Sequence, residues 1–271
     1  MYFDNLVITF LVFSIIGYVS EVIYCSAGQR HLVNRGFLYG PYLPIYGFGG
    51  LVVKIFLVPL SSYPLLVFIM GMILTSIVEY IGSWGLEKLF DIKLWDYSKK
   101  FMNIKGRVCL LNSTLFGIMG LCCVYFAEPK LNELLAKIPQ GLTHYIAEAI
   151  IFIMTVDCTL SVIKMNAFKV ALREAREKAK ENEERIKALI SEGKKEASEE
   201  LRRRHAEEAQ KNRERIRRAN ARILKSFPSA TAKSKETREQ IERLRASIER
   251  AKSELKKNSQ KLKNEIEEKR K

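Results

Sequence analysis

Five stretches of the chain are apolar almost without interruption: about Asp4–Tyr24, Tyr42–Leu60, Pro64–Trp84, Val108–Phe126 and His144–Lys164. A bilayer's hydrocarbon core takes about 20 apolar residues per helix. The pattern therefore predicts an all-α, polytopic membrane helix bundle of about five transmembrane helices, the third running on toward Phe90. After Ala171 the period changes. Leu172, Ala175, Ala179, Asn182, Ile186 and Leu189 step by three and four and form a weak heptad seam. Gly193 interrupts it, a looser pattern resumes through Leu201, Ile216 and Ile223, and Pro228 breaks the helix within Ser226–Lys235. A second seam follows through Ile241, Leu244, Ile248, Ala251, Leu255, Asn258, Leu262 and Ile266. Two domains are expected: a transmembrane bundle over 1–165 and a charged cytoplasmic coiled-coil tail over 166–271, broken near 226–235. The tail either folds back as a helical hairpin or pairs with another subunit.

Charge sharpens this division. The mean hydropathy of −0.06 averages two unlike halves. Residues 171–271 hold 32 of the 45 Lys/Arg and 20 of the 30 acidic residues, so most of the formal charge of +15 sits in the tail. Phe227 is the tail's one aromatic residue and Glu is interspersed throughout. That composition argues against nucleic-acid binding and for a solvated helix or an anionic lipid surface. The first connection carries Arg30 and Arg35; the third carries Lys88, Lys93, Lys99, Lys100, Lys105 and Arg107. The second, around Ser61-Ser62-Tyr63, has no basic residue, and the fourth offsets Lys130 and Lys137 with Glu128 and Glu133. The positive-inside rule then puts connections one and three and the C-terminus in the cytoplasm, with the N-terminus outside. Met1-Tyr2-Phe3-Asp4 lacks a basic leader region, so the first apolar run reads as a retained helix. The five cysteines, Cys25, Cys109, Cys122, Cys123 and Cys158, show no paired spacing and read as small packing residues.

Candidate chemistry follows from polar groups that apolar spans do not keep without reason. A charge at a helix centre costs about 2.5–3.5 kcal/mol on insertion scales. Glu21 lies in the last turn of the first span, Glu79 inside the third and Asp157 near the middle of the fifth. Ser76, Tyr80 and Ser83 flank Glu79 at helical spacing, which turns that face toward the bundle. Lys54 and Glu148 both lie in outer halves and are expected to pair. Between the first two spans, NRGFLYGPYLPIYG (Asn34 to Gly47) packs Gly36, Gly40, Pro41 and Pro44 among Arg35, Tyr42 and Tyr46. Backbone bent this way is tolerated only where protein or water satisfies it. In the third connection Trp95, Tyr97 and Phe101 suit the interface, while Asp96, Asn103, Arg107 and Asn112 can turn back toward the bundle. Asp96 is expected to pair with Arg35 or Arg107. The two connections together give one candidate substrate site: Glu21, Arg35, Tyr42, Tyr46, Glu79, Trp95, Asp96, Asn103 and Arg107.

Asn34-Arg35-Gly36-Phe37-Leu38, then Gly40-Pro41 and Pro44-Ile45-Tyr46-Gly47, with Glu21 upstream, form an ordered set. It continues with Glu79, Trp95-Asp96-Tyr97-Ser98 and Asn103-Ile104-Lys105-Gly106-Arg107. Over about residues 5–165 this set resembles the ABC-transporter type IV (CmpB-like) membrane protein family of bacteria. The resemblance implies an integral membrane permease; the tail lies outside it.

The chain carries no GxxxxGKS/T, so an ATPase would have to be a separate subunit, and five spans suggest a homo-oligomer. It carries no HExxH, GxSxG or metal-spaced cluster, so no metal or cofactor is expected. Three functions remain: a permease-like transport component with a polar site open to the cytoplasm, an intramembrane enzyme acting on a lipid or isoprenoid, and a membrane-anchored coiled-coil scaffold. In the first, carboxylates bind a cationic group or carry protons. In the second, Glu79 or Asp96 is the acid or base, and Arg35 and Arg107 grip a phosphate.

Overall fold

The computed structural model describes residues 2–29, 36–227, 230–232, 238–246, 249 and 253. Arg30, Arg35 and the second seam from Ile248 onward lie outside the described residues. The described chain is helical: α1 Tyr2–Gln29, α2 Pro44–Val52, α3 Pro64–Phe90, α4 Leu110–Cys122, α5 Glu128–Ala136, α6 Gln140–Ser191 and α7 Lys195–Ser226. Strand is confined, among the described residues, to Ile92–Lys93 and Thr231–Ala232.

Four helical runs are long and apolar enough to cross a membrane: Tyr2–Ser26, Pro64–Phe90, Leu110–Ala136 and Gly141–Ser191. The remaining apolar helix, Pro44–Leu60, is shorter than the sequence pattern suggests. Pro44 starts it late, because a proline fits the first helical turn and the connection before it is irregular. Its last residues tighten and widen in turn, as a π turn over Val53–Leu57 and a 3-10 turn over Val58–Leu60. At about 1.5 Å per residue it covers roughly 25 Å, against a hydrocarbon core of about 30 Å.

The chain divides into two units, Met1–Met165 with Lys225–Ala230, and Asn166–Leu224 with Thr231–Lys271. In the first, α1 packs on α2 and α3 on α4. One apolar cluster joins α1, α5 and α6 through Ile8, Phe13, Leu131, Leu135 and Ile150. A second joins the π turn over Val53–Leu57 and another π turn, Cys123–Ala127 after α4, to α3 through Val53, Leu57, Val67 and Val124. The face of α3 is set by its period. Leu65, Ile69, Ile73, Ile77 and Ile81 are exposed at steps of four, as a lipid-facing stripe should be, while Val67, Gly71, Glu79 and Ser83 are buried on the other side. On α1, Thr9, Phe13, Gly17 and Cys25 are buried at the same spacing, which brings Glu21 to the inward side.

Close approach of α1 and α2 depends on glycine. A Cβ on Gly50 would collide with Cβ and Cγ of Phe13, atoms that cannot move away without moving α1 itself. Gly50→Ala is expected to cost about 1–3 kcal/mol of stability through overpacking, read as a lower unfolding midpoint of the purified protein in detergent. Gly49→Ala, where nothing lies within 4 Å, is the control.

In the second unit the first seam is turned away from water. Leu172 is buried, and Ala175, Asn182, Ile186 and Leu189 are half-buried among exposed charged neighbours. The amide of Gln240 fits there with its nitrogen donating to the Leu172 carbonyl at 3.0 Å. The helical stretch over 238–246, which carries Gln240, buries Ile241 and Leu244. Gly193 separates α6 from α7, with the Lys194 N–H donating to the Leu189 carbonyl at 3.0 Å in a helix-ending turn.

Candidate functional site

Four segments of the first unit converge on Glu79. Its residue exposure is 5%, and its Oε2 has no hydrogen-bond partner. The groups acting on it electrostatically are the Tyr97 hydroxyl and the carboxylate of Glu21. From α1, Glu21 accepts a bond from Tyr46 Oη at 2.9 Å and one from Cys25 Sγ at 3.5 Å. From α2, Tyr46 reaches Glu21 because its ring lies over Gly17, one turn earlier on α1, where a Cβ would strike it. Phe116 of α4 packs edge-on against the Tyr46 ring, with centroids 6.4 Å apart. Two carboxylates, two phenols and an aromatic edge thus share one buried locus.

Tyr97 arrives from the connection between α3 and α4. Glu79 lies about 16 Å before the end of α3 at Phe90, at about 1.5 Å per residue, so that connection turns back along the helix. It does so as a hairpin. The Tyr97 N–H donates to the Gly106 carbonyl at 2.8 Å, and Ile104 N–H to the Val108 carbonyl at 3.0 Å. The Trp95 indole donates to the Arg107 carbonyl at 3.1 Å. Gly106 takes φ +67°, a conformation that side chains disfavour, and its missing Cβ leaves room for Asp96 and Ser98. Leu94, Val108 and Cys109 are buried at the hairpin's base. Burial raises the Tyr97 phenol well above the usual tyrosine range, and the charges of Glu79 and Glu21 add to this. It therefore stays protonated and can donate to Glu79.

The candidates of the sequence separate into groups. Glu21, Tyr46 and Glu79 meet. Tyr42 does not join them; its hydroxyl donates to Asp157 Oδ2 of α6 at 2.6 Å. Trp95, Asp96 and Asn103 build the hairpin. Asp96 Oδ1 accepts from Ser98 N–H and Oγ and lies 3.5 Å from Lys93 Nζ. Burial opposes ionisation of Asp96, but those bonds outweigh it and hold the carboxyl below its usual range. Asn103 donates to the carbonyls of Ser98 and Lys100 and accepts from Gly106 N–H at 3.0 Å. Arg107 stands over the Tyr80 ring at 5.4 Å, with Nη2 2.7 Å from Glu87 Oε2. Arg35 lies outside the described residues.

Two expected charge pairs are replaced. Arg107 faces Glu87 on α3 rather than Asp96, because Asp96 is consumed by the turn it caps; the other partner expected for Asp96, Arg35, lies outside the described residues. Lys54 meets Glu128 at 3.1 Å and Asn132 at 3.1 Å rather than Glu148. Glu148 lies on an exposed side of α6 and pairs with His144 at 3.3 Å.

Sequence reasoning put Tyr97 at the interface and missed it as a site residue. The available signal was spacing: Trp95 and Tyr97 stand two apart in a non-helical stretch, and a Gly at 106 permits the return. It also left Asp157 undecided, although Asp157 and Ser161 share a helix face and Ser161 Oγ donates to Asp157 at 3.1 Å.

The long apolar helices and a polar locus among them define a multi-pass membrane protein. Residues 8–162 match the family model described as "Putative ABC-transporter type IV" (ABC_trans_CmpB), and the chain belongs to that transport-related family. No curated protein and no solved structure matches it.

Proposed function

We propose that this chain is a permease-like transport component whose solute site is formed by Glu21, Tyr46 and Glu79, with Tyr97 as its cover. The observation that carries the reading is Glu79: a carboxylate is kept 95% out of solvent with one oxygen unpartnered. Such a group costs several kcal/mol unless a ligand or proton completes it. A purely structural carboxylate in the same protein looks different, since Asp157 has four donors. The site lies near the C-terminal part of α1 and beside the α3–α4 connection, whose Lys and Arg support a cytoplasmic side with the N-terminus outside. An ATPase, if one drives the protein, is a separate subunit docking on that side. The tail over 166–271 is an accessory domain suited to self-association through its seams.

The test compares membrane vesicles carrying wild type or Glu79→Gln, energised with ATP and incubated in a cell metabolite extract, with vesicle contents identified by mass spectrometry. A solute accumulated by wild type should fall to background in the variant. Identical contents in both would refute the transport reading. A compound converted by detergent-solubilised wild type but not by the variant would replace it with an enzyme.

A further inference from the structure

Resting on that reading of the site, we propose that Glu79 takes the primary ammonium group of a small organic amine, in exchange for a proton. The unpartnered Oε2 needs a hydrogen-bond donor, and it is buried beyond the reach of bulk water. The described titratable groups around it are carboxylates, thiols or phenols: Glu21 with Cys25 from α1, Tyr46 from α2, Tyr97 from the hairpin, and Cys109 beside Tyr97 at the start of α4; Ser83, one turn further along α3, is buried with its own Oγ unpartnered. None of these is a cation, and Tyr97 already serves Glu79.

The missing partner is then a donor that also brings positive charge. A primary ammonium offers three N–H bonds, enough for Glu79 Oε2, the Glu21 carboxylate and a phenol oxygen. A quaternary ammonium has no N–H to give. A bare metal ion calls for a fuller oxygen shell, and among the described residues no set of three His, Cys, Asp or Glu is grouped for one. The rings of Tyr46 and Phe116 supply faces and edges that suit a weakly hydrated organic cation. In the proposed exchange the empty site carries a proton on Glu79, so that no uncompensated charge is left at this depth. When R–NH3+ enters, the carboxylic acid gives its proton to the cytoplasmic side and the O–H bond is replaced by an N–H···O− bond. One positive charge goes in and one comes out, so the site's charge is unchanged. Tyr97 acts as a positioning residue beside the Glu79 carboxyl.

The experiment uses the full chain in detergent, where no gradient exists, with methylammonium, sodium and tetramethylammonium chlorides at equal ionic strength. Methylammonium should raise the unfolding midpoint by about 2–4 °C over sodium. Tetramethylammonium should give no rise. Glu79→Gln should abolish the effect, and Glu133→Gln on the exposed face of α5 should keep it. A proton-release measurement on the wild type covers the case in which Glu79→Gln fails to fold. Weakly buffered protein should acidify its medium on addition of methylammonium and not of sodium. Equal shifts with all three salts, a shift retained in Glu79→Gln, or no proton release overturns the proposal. Accumulation of an anionic solute in the vesicle assay, with no methylammonium response, sinks the amine assignment and leaves the transport reading standing.

Discussion

Asp157→Ala is expected to lower stability by about 3–5 kcal/mol, because one carboxylate holds an entire connection against α6. Asp157 is buried and accepts from Tyr39 N–H at 2.8 Å, Gly40 N–H at 2.7 Å, Tyr42 Oη at 2.6 Å and Ser161 Oγ at 3.1 Å. The segment from Gly36 to Leu43 has no regular helix or strand to satisfy its amides. Asp157 therefore does for two of them what a ladder would do. Each buried donor left without an acceptor costs about 1–3 kcal/mol, and bonds to a charged group are the stronger kind. Three of the four donors come from the connection, so alanine strands several at once, while water entering the loosened segment limits the total. Gly40 has no substitute here, since a Cβ would enter the Tyr42 ring. Asp157→Asn should lie between, as its NH2 group must face a donor. Ser161→Ala removes one bond and should cost about 1 kcal/mol. Unfolding in detergent micelles reads all three, and an Asp157→Ala midpoint equal to wild type would show that solvent replaces the clamp freely.

The clamp also shows where sequence reasoning runs out. The period of α3 is legible, because exposed Ile69, Ile73, Ile77 and Ile81 against buried Glu79 and Ser83 follow from 3.6 residues per turn alone. The inward placement of Glu21 and Glu79 is legible for the same reason. Partner choice is not. Lys54 and Glu148 lie at similar depth in the sequence pattern, but the π turn at Val53–Leu57 rotates Lys54 toward the second π turn, Cys123–Ala127, and hence toward Glu128. Such turns arise from tertiary packing and leave no composition signal. Tyr97 escaped for a related reason. Its place beside Glu79 depends on bonds between residues nine to twelve apart in sequence, the Tyr97 N–H to the Gly106 carbonyl and the Trp95 indole to the Arg107 carbonyl, which no local period encodes. Asp96 and Asn103 are expected in the substrate site; in the structure their bonds close that hairpin.

The second large effect concerns the ion pair between the two π turns. Glu128 is 1% exposed, and its carboxylate lies 3.1 Å from Lys54 Nζ, with Asn132 bonded to both partners. Val53 and Leu57, in the same turn as Lys54, belong with Val67 and Val124 to a buried apolar cluster. Glu128→Ala should cost about 3–5 kcal/mol, since it leaves an ammonium in an apolar wall with only an amide oxygen beside it. Lys54→Met should cost a similar amount, because the carboxylate is the more deeply buried member. The combined Lys54→Met/Glu128→Leu variant should recover most of that loss or exceed wild type, as replacing a buried pair with packed apolar groups is often neutral or stabilising. Chemical unfolding of the four proteins gives the coupling directly. A double variant as unstable as Glu128→Ala would mean that each group acts through Asn132 rather than through the other. Recovery would instead identify the pair as an orienting device: its net contribution to stability is small, but it fixes how the π turns of α2 and α4 face each other. That orientation in turn fixes α2, and with it the distance from Tyr46 to Glu21.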